Sequence, residues 1–402
     1  MPSVLGIAGS GQVRLPAGVI RTTSVLTNEK GTPVLVISNR DVEEVLDANE
    51  TVRALEAAYR DLAKGDAICR PRIDLGIPTG ESSNVYQWGT MEGGSSASGY
   101  FAIRAKSDIV VETGSGTART QDKYCVSPGT YCGFILLFSV RNGEPLALIN
   151  DGVLQHMRVG ADSAIGTRLM ARPDAKTLAM IGSGGMARSH LDSLLTVLSL
   201  ESARVYSPTS AHREAYAQEM RDRYGIDVVA VEEPSLACRG ADIVCGCTDA
   251  VVEVIRGDWL EDGAHVTCVG GRLDAAALSR IGVWLRLGSA PSPVNLPGWE
   301  TPAEVVRYRA QPKSSVWNDH QVGEGGGRGL SGVDPAKTIF LSDLLEGRVP
   351  GRSDAREVTY SERGNIQGAQ FFAVAGRVYE LARARGLGHE IPTEWFLQDI
   401  RD

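Results

Sequence analysis

Residues 178–195 read LAMIGSGGMARSHLDSLL, an apolar run that enters a glycine-rich turn and continues as a helical pattern. Gly182, Gly184 and Ala187 have the spacing G-x-G-x-x-A. The first glycine permits a tight turn, the second lets the backbone approach a pyrophosphate, and the small third residue lets helix and strand pack closely. The free N–H groups and the positive end of the helix then hold phosphates. A strand before the motif and a helix after it predict a dinucleotide-binding turn.

Strand and helix patterns alternate through residues 176–290. Continuous apolar runs joined by helical stretches indicate a parallel sheet that is covered on both faces. The helical stretches are residues 186–199 and 210–223. The predicted strands are KTLAMIG, ARVYS, DVVAV, ADIVCGC, AHVTCVGG and GVWLRLG. This alternation predicts an α/β fold of the Rossmann type.

The chain before the turn has a different character. PVLVIS is a short predicted strand, and a helical stretch follows it, with Gly65 as its C-cap. Residues 73–150 are rich in strand patterns, of which YFAIRAKSDIVV and YCGFILLFSV are the clearest, and a helix is predicted at about residues 159–171. The closing helix, NIQGAQFFAVAGRVYELARARG, has no strand partner of its own and must return to an earlier core.

The end of the second strand of the α/β region bears on cofactor choice. An acidic residue there would bind the ribose 2′-hydroxyl of NAD. The sequence is VYSPTSAHRE, in which the hydroxyls of Ser207 and Thr209, with Arg213 close by, suit a 2′-phosphate. We therefore expect NADP(H) to be favoured over NAD(H). The alternative is that Ser-Pro-Thr-Ser only caps the next helix.

Composition excludes several classes of partner. The 402 residues carry a formal net charge of −8, which gives no reason to expect nucleic acid or an anionic membrane as a partner. No apolar run approaches the roughly 18 residues of a membrane helix, and no basic start precedes an apolar run at the N-terminus. The seven cysteines are scattered, apart from Cys245 and Cys247, and no two histidines have metal-ligand spacing. We expect a reduced cytoplasmic protein without a metal.

Several ordered segments resemble the ornithine cyclodeaminase/μ-crystallin family of NAD(P)-dependent enzymes. They are AAYRDLAKGDAICRPRIDL, PLALINDGVLQHMRVGADSAIGTRLMARPDAKTLAMIGSGGMA, HVTCVGG, DLLEGRVPGR and VYELARARGLG. The resemblance implies a Rossmann dinucleotide-binding domain inserted in a split α+β substrate and dimerisation domain, and a homodimer. We expect an N-terminal extension at residues 1–32, the substrate domain at 33–160 and 335–402, and the Rossmann domain at 161–334.

The resemblance also implies a small amino or imino acid as substrate, whose carboxylate needs cations. Arg72 and Arg158 match family arginines that bind this carboxylate, and a planar guanidinium forms two parallel bonds to it. Arg104 stands where the family usually has a lysine, and Lys106 follows on the same strand face. Arginine can bind an oxygen atom but stays protonated, so it cannot act as a base. Arg72 and Arg158 could each instead form a surface or interdomain ion pair.

One position departs from the family pattern. After HVTCVGG the cyclodeaminases place an aspartate that handles the substrate amine, and here the position is Arg272, with Asp274 two residues later. Either Asp274 takes over, or Arg272 binds a second anionic group, or Arg272 is structural. His156 and the pair Asp319–His320 are weaker candidates, and a structural role is the alternative for each. Further cofactor-binding candidates are Gly185, Met186, Thr248 and Gly270.

These residues predict hydride transfer between nicotinamide and the α-carbon of a small imino or amino acid, with reduction of the C=N bond as the favoured direction. One alternative is a cyclodeaminase, which recycles its cofactor within each turnover and releases ammonia. Another is a non-catalytic protein that uses bound NADPH to hold a small ligand.

Overall fold

A computed structural model describes residues 31–80, 84–113, 120–250, 252–290, 305–309 and 334–400. Residues 1–30 of the expected extension, together with the candidates Asp319 and His320, lie outside these described ranges. All seven cysteines lie within them and are free of disulfide bonds. None of the described helices has both the length and the apolar composition that crossing a lipid bilayer requires.

A ten-stranded sheet is built mostly from the chain before the glycine-rich turn. Its order is β17-β3-β4-β5-β7-β8-β1-β20, with β2 paired to β4 and β6 paired to β5. The long strands β3, β4, β5, β7 and β8 pair antiparallel in sequence. The strands are β1 (Val34–Ile37), β2 (Ala67–Cys69), β3 (Arg72–Pro78), β4 (Val85–Ser95), β5 (Tyr100–Thr113), β6 (Thr120–Tyr124), β7 (Cys132–Ser139), β8 (Pro145–Asn150), β17 (Val305–Arg309) and β20 (His389–Ile391).

An eight-stranded sheet contains the predicted α/β region. Its order is β11-β10-β9-β12-β14-β19-β16-β18, and every neighbouring pair is parallel. The strands are β9 (Thr177–Ile181), β10 (Ser202–Tyr206), β11 (Asp227–Ala230), β12 (Ile243–Gly246), β14 (His265–Cys268), β16 (Ile281–Arg286), β18 (Thr338–Phe340) and β19 (Val358–Glu362). A separate short ladder pairs β13 (Glu253–Ile255) with β15 (Arg272–Leu273).

Apolar clusters cover both faces of this parallel sheet. Leu178 and Met180 of β9 belong to one cluster, and their neighbours Ala179 and Ile181 belong to another. Alternate residues of a strand face opposite sides, so a strand that is buried throughout must be covered twice. The predicted doubly covered parallel sheet is therefore confirmed, as are its six predicted strands.

The helices agree with the predicted order but not with every boundary. The stretch before Gly65 forms two helices, because Leu46 is extended and the side chain of Asp47 caps the second one. Gly65 and Gly386 end their helices in the left-handed region, at φ 82° and 67°. The helices are α1 (Asn39–Val45), α2 (Ala48–Lys64), α3 (Gly152–Met170), α4 (Gly185–Val197), α5 (Ser210–Tyr224), α6 (Pro234–Cys238), α7 (Ala275–Arg280), α8 (Leu341–Leu345) and α9 (Gln367–Arg385).

Helix α3 begins seven residues before the predicted residue 159. Most of its residues from Leu154 onward are buried, so the sequence shows no amphipathic period from which its start could be found. Arg158 consequently lies in the second turn of a buried helix and not at a helix N-terminus.

The end of the chain crosses between the two sheets. Strands β18 and β19 lie in the parallel sheet, whereas α9 packs on the ten-stranded sheet and β20 pairs with β1. The last expected boundary, at residue 335, thus precedes two strands of the parallel sheet. The division of the chain into domains otherwise stays a prediction.

Candidate active site

One face of the ten-stranded sheet changes from apolar to charged along β5. Ala102, Arg104, Lys106 and Asp108 share this face because they alternate along the strand. The register places Lys106 beside Gly89 of β4, and Gly89 beside Asp74 of β3. Asp74 and the three charged residues of β5 are each less than 9% exposed. Buried charges are costly unless they are paired, so this dense charged patch is a candidate functional site.

Lys106 is held within a network of two carboxylates and an amide. Its Nζ donates to Oε1 of Gln87 at 2.6 Å and to Oδ2 of Asp108 at 3.1 Å. Asp74 accepts from Nε of Arg72 at 2.7 Å and from Nε2 of Gln87 at 3.2 Å. Burial, followed by the charge of Arg72, lowers the pKa of Lys106 to about 8. Lys106 is therefore protonated at neutral pH but releases its proton more readily than a surface lysine.

Gly89 makes room for the network around Lys106. A Cβ atom at this position would lie 2.5 Å from Oδ1 of Asp74 and 2.6 Å from Cε of Lys106. Real Cβ atoms do not approach other atoms so closely, so any larger residue would displace the aspartate or the lysine. Gly89 of β4 thus lets the side chains of Asp74 on β3 and Lys106 on β5 approach each other across β4.

Two arginines meet over one aromatic ring. Nε of Arg104 pairs with Oδ2 of Asp151 at 2.5 Å, and the Arg104 guanidinium lies 5.6 Å from the ring centroid of Phe371. The Arg158 guanidinium lies 4.8 Å from the same centroid. The structure thus brings together two of the predicted arginines, although they come from a strand and a helix far apart in the sequence.

Arg158 differs from the other cations of the site in its partners. Its side chain donates to Oε1 of Gln370 at 2.5 Å and to Oε1 of Gln155 at 2.8 and 3.3 Å. Within the described part of the chain, no carboxylate lies within salt-bridge distance of this guanidinium, although Arg158 is only 3% exposed. Burial is the main cause that lowers its pKa. A buried cation without a carboxylate partner is chemically suited to bind an anion.

A buried network holds Gln370 in place. Its Nε2 donates to the hydroxyl of Tyr59 at 2.7 Å and to Oδ1 of Asp162 at 2.8 Å, and the Tyr59 hydroxyl also donates to Asp162. Burial raises the pKa of both Tyr59 and Asp162. Because both donors of Gln370 are engaged, its carbonyl oxygen must face Arg158.

Helix α3 connects the arginine pocket to the glycine-rich turn. A Cβ atom at Gly160 would overlap the carbonyl of Ser189 in α4, so the two helix backbones are in close contact. The exposed ring of His156 lies over Gly185, where a Cβ atom would be 3.3 Å from Cε1 of the ring. Arg158 follows His156 by two residues, so its helix packs directly on the helix that the turn begins.

The turn has the backbone geometry that its motif predicts. Gly182 has φ 119°, and a Cβ atom there would overlap the carbonyl of Cys247 at the end of β12. Gly184 is the extended N-cap of α4, and a Cβ atom there would meet nothing within 4 Å. Ala187 is fully buried. The turn therefore has a closed inner side at Gly182 and an open outer side at Gly184.

Two other cofactor candidates lie beside this turn. A Cβ atom at Gly270 would overlap the carbonyl of Thr248, which brings the segments after β12 and β14 together. Because β9, β12 and β14 are adjacent strands, Gly182, Thr248 and Gly270 lie at one carboxyl edge of the sheet. Ligands of open α/β sheets bind at this edge. The carbonyl of Met186, by contrast, is bonded to the buried His190 ring at 2.6 Å.

Hydroxyls and a guanidinium gather at the end of β10. Ser183 donates to the hydroxyl of Ser207 at 2.9 Å, and Nη1 of Arg213 donates to the Ser207 carbonyl at 3.1 Å. Thr209 is the N-cap residue of α5, but its side chain makes no capping hydrogen bond. The alternative that the hydroxyl of Thr209 only caps the next helix is therefore not supported.

Asp274 and Arg272 have a different setting. Oδ1 of Asp274 accepts the backbone N–H of Ala277 at 2.7 Å and of Gly257 at 3.0 Å, so Asp274 caps α7. Arg272 is exposed in β15. Within the described ranges, the hydrogen bonds of Asp274 stabilise local backbone and do not involve the charged sheet face, and its expected catalytic role stays a prediction.

A cluster of possible metal ligands lies behind the turn. His190, Cys245 and Cys247 are buried, with ligand atoms within 4.8 Å of one another. Both ring nitrogens of His190 already have partners, the Met186 carbonyl and the Ser163 hydroxyl. This bonding is that of a core histidine, and the expectation of no metal stays a prediction.

Sequence reasoning missed several side chains of the site, namely Asp74, Gln87, Asp108, Asp151, Gln155, Gln370 and Phe371. The contacts of Gln87 with Lys106, of Asp151 with Arg104 and of Gln370 with Arg158 depend on strand register and helix packing, which a single sequence does not specify. One signal was nevertheless present. Strand β5 places charged residues at 104, 106 and 108, and β3 does so at 72 and 74, so each strand has one charged face.

The parallel sheet with its glycine-rich turn is a Rossmann-type fold, and comparison with known proteins shows which family the chain is similar to. A model described as the ornithine cyclodeaminase/mu-crystallin family matches residues 117–280. Delta(1)-pyrroline-2-carboxylate reductase of Bacillus cereus is 25% identical over 360 residues, which are 89% of this chain and 99% of the relative. Ketimine reductase mu-crystallin of Mus musculus is 31% identical over 136 residues, which are 34% of this chain and 42% of the relative.

A solved structure agrees in fold. Thermococcus litoralis Delta(1)-pyrroline-2-carboxylate reductase, in complex with NADH and L-proline, superimposes with a TM-score of 0.65 at 21% identity, covering 89% of this chain and 100% of that one. The expected fold class is confirmed. The resemblance stated from the sequence is confirmed as well, and this chain is related to the ornithine cyclodeaminase/mu-crystallin family.

Because the turn has a closed and an open side, alanine at Gly182 is expected to lower stability, whereas alanine at Gly184 is expected to weaken dinucleotide binding. Gly182→Ala is expected to lower the free energy of unfolding by about 2–4 kcal/mol, because it combines a positive φ with overlap on a backbone carbonyl. Gly184→Ala is expected to change it by less than about 0.5 kcal/mol.

If the open side receives a pyrophosphate, Gly184→Ala weakens dinucleotide binding at least about tenfold. Urea unfolding and fluorescence titration with NADPH and NADH measure both effects. Equal destabilisation by the two substitutions, or wild-type affinity in Gly184→Ala, would contradict the assignment of a closed and an open side to the turn.

Proposed function

We propose that this chain is an NAD(P)H-dependent oxidoreductase that acts on the C–N bond of a small imino or amino acid, with reduction of C=N as the favoured direction. Relatives named for pyrroline-2-carboxylate and ketimine reduction support the reaction class. The observation that carries the proposal is Arg158, a buried guanidinium bonded to amide oxygens, on a helix that packs against the helix of the dinucleotide turn.

The dinucleotide would be held at the carboxyl edge of β9, β12 and β14. The closed side at Gly182, the open side at Gly184 and the contact between Thr248 and Gly270 fit such a group. Gly185, Met186 and Ala187 would complete the turn with backbone N–H groups. When bound, the nicotinamide supplies or accepts the hydride. The side chains of the protein would bind and orient the substrate and transfer the proton.

Arg158 is the residue we expect to bind the substrate carboxylate. Arg104 is balanced by Asp151, and Arg72 by Asp74, whereas the partners of Arg158 are uncharged. A carboxylate that enters the pocket would therefore form its most favourable electrostatic interaction with Arg158. Arg104 shares the face of Phe371 and can add a second bond, while Arg72 would border the far side of the pocket near Lys106. Together these contacts would orient the carbon atom that changes oxidation state.

Lys106 is the residue we expect to give a proton to the substrate nitrogen. Reduction of a C=N bond places a hydride on carbon and requires a proton on nitrogen. Two of the three N–H bonds of Lys106 go to Gln87 and Asp108, which leaves one for a substrate. A pKa of about 8 suits an acid that works near neutral pH. Asp274, already occupied as a helix cap, is a second candidate for contact with the amine.

We expect NADP(H) to be preferred over NAD(H). Residues 207–213 include no carboxylate to bind a ribose 2′-hydroxyl. Several donors are available for a 2′-phosphate. They are the hydroxyl of Thr209, which makes no helix-capping bond, the Ser183–Ser207 hydroxyl pair and the half-buried Arg213. If a substrate carries a second anionic group, the exposed Arg272 is available to bind it.

The proposed reaction is tested by a substrate screen with a matched variant. Cyclic imino acids, α-keto acids with amines, and amino acids are followed by absorbance with NADPH and NADH in parallel. Arg158→Lys is expected to raise KM at least about tenfold and to leave the dissociation constant of NADPH unchanged, because lysine lacks the planar fork. Arg60→Lys, on the exposed surface, is the control.

Two outcomes of this screen would favour the other functions. Release of ammonia from ornithine without net change in nicotinamide absorbance would indicate a cyclodeaminase. Tight NADPH binding without turnover of any compound would indicate a non-catalytic binding protein. An unchanged KM in Arg158→Lys would contradict the assignment of the carboxylate site.

The assignment of Lys106 predicts a pH dependence. The rate of reduction should fall as pH rises through about 8, because the proton donor is lost, and the rate of amino-acid oxidation should rise through the same pH. Lys106→Met is expected to lower kcat for reduction about 100-fold or more and to remove this limb of the profile. Lys106→Arg, which keeps the charge but does not release its proton, is the control and should be as slow. A Lys106→Met enzyme with the wild-type profile would refute the role of Lys106.

We propose a homodimer formed through the other face of the ten-stranded sheet. This face carries large apolar side chains that are only partly buried in one chain, and Leu75 and Ile77 beside them are 42% and 50% exposed. The others are Tyr86, Trp88, Ile103, Phe134, Leu136, Phe138 and Leu148. Apolar patches of this extent mark interfaces.

Sedimentation at micromolar concentration is expected to give twice the 42.9 kDa mass of one chain. Trp88→Arg should give the mass of one chain, because it places a charge in the centre of the patch. A monomeric wild-type protein would contradict the proposed interface.

A further inference from the structure

Two buried amide groups at the start of α9 have unused hydrogen-bonding atoms. Asn365 is fully buried, and its Oδ1 accepts the backbone N–H of Ala290 at 2.6 Å. This bond fixes the orientation of the amide and leaves Nδ2 pointing away. Among the described residues, neither Nδ2 of Asn365 nor Oε1 of Gln367 finds a partner, although Gln367 is only 3% exposed. Such orphaned groups are rare, because each costs about 1–3 kcal/mol.

Asn365 lies just beyond the carboxyl ends of two neighbouring strands. It follows the end of β19 by three residues and is bonded to Ala290, four residues after the end of β16. A Cβ atom at Gly364 would overlap the carbonyl of Gly288, so the segments that leave the two strands are in close contact. The orphaned amides thus belong to the edge of the parallel sheet at which ligands bind.

The place of these amides along the sheet edge indicates which half of a dinucleotide they would meet. The glycine-rich turn follows β9, and β10 and β11 extend the sheet on one side of it, where the adenosine half of a dinucleotide lies. On the other side come β12, β14 and then β19. This second half of a doubly wound sheet carries the second nucleotide. Asn365 and Gln367 are therefore on the nicotinamide side.

The same turn of α9 continues into the arginine pocket. Gln370, three residues after Gln367, accepts from Arg158, and Phe371 lies beneath the guanidinium groups of Arg104 and Arg158. The orphaned amides consequently stand between the strand ends and the proposed carboxylate site, where the reacting ring must meet the substrate.

We propose that Asn365 and Gln367 recognise the carboxamide of the nicotinamide ring. Nδ2 of Asn365 would donate to the carboxamide oxygen, and Oε1 of Gln367 would accept from the carboxamide nitrogen. A carboxamide offers one acceptor and one donor side by side, which matches the one orphaned donor and the one orphaned acceptor. The proposal rests on the proposed function. Its consequence is that the two residues fix the rotation of the ring and so select the face of C4 that points toward Arg158.

Dinucleotides altered only at the carboxamide test the proposal. The 3-acetylpyridine analogue keeps the carbonyl but lacks the NH₂ group, and the thionicotinamide analogue keeps the NH₂ group but has a poor acceptor. We expect the wild type to bind the reduced natural cofactor about five- to tenfold more tightly than either analogue, the range that corresponds to one lost hydrogen bond. Dissociation constants are measured by calorimetry at pH 8, without a substrate or turnover.

Two variants assign the bonds separately. Gln367→Met removes the acceptor at nearly constant length and should abolish the preference over the acetylpyridine analogue only. Asn365→Asp keeps the acceptor for Ala290 and removes the donor, so it should abolish the preference over the thionicotinamide analogue only. Gln398→Met, on the exposed C-terminal segment, should keep both preferences.

ADP-ribose, with or without a 2′-phosphate, separates failure of the proposal from failure of the fold or of the proposed function. It lacks nicotinamide and should bind the wild type and both variants equally. A wild type that binds neither ADP-ribose nor the dinucleotides would contradict the proposed function itself. A wild type that binds the natural cofactor but does not discriminate against either analogue would overturn the carboxamide assignment alone. Variants that bind ADP-ribose normally and keep both preferences would overturn it too.

Discussion

The burial of Arg158 without a carboxylate partner is the interaction on which the proposed chemistry depends. Three other cations of the site have acidic partners at 2.5–3.1 Å, and their charges are balanced within the protein. Among the described residues, the hydrogen-bond acceptors of Arg158 are only the carbonyl oxygens of Gln155 and Gln370. Because desolvation of a guanidinium is costly, the fold must stabilise it by other means, and Phe371 and the Tyr59–Asp162–Gln370 network provide them. The pocket is thereby left with a positive charge that an anionic substrate can use.

In the proposed function the two sheets contribute to one site, because α3 and α9 connect them. Helix α3 carries Arg158 and packs backbone to backbone on α4 through Gly160. Helix α9 begins where β16 and β19 end, and it then packs on the ten-stranded sheet. A shift of either helix would therefore change the distance between the dinucleotide edge and the charged face. Close contacts of glycine with backbone carbonyls make both connections stiff.

Much of the fold could be predicted from the sequence, because its signals are local. The spacing of Gly182, Gly184 and Ala187, the apolar runs of the parallel sheet and the helix ends at Gly65 and Gly386 each depend on a few neighbouring residues. The break at Leu46 and the start of α3 were missed, the latter because a buried helix shows no polar face. Strands β18 and β19 were not predicted either, since short strands beside long loops carry weak patterns.

The site was predicted less completely, because several of its pairs are distant in sequence. Arg104 meets Asp151 across 47 residues and Arg158 meets Gln370 across 212. The cations could be proposed from the family resemblance. Arg72 pairs with Asp74 on its own strand, whereas the partners of Arg104 and Arg158 depend on how strands and helices pack. The same is true of Asn365, whose orphaned donor becomes evident only once its acceptor is seen to be occupied.

The most direct test of the anion site is a crystal structure of the chain with NADPH and an unreactive planar carboxylate, such as pyrrole-2-carboxylate. We predict that a carboxylate oxygen of this compound lies within hydrogen-bond distance of the Arg158 guanidinium, beside the ring of Phe371. A compound bound elsewhere, with Arg158 still bonded only to Gln155 and Gln370, would contradict the assignment of Arg158 as the anion site.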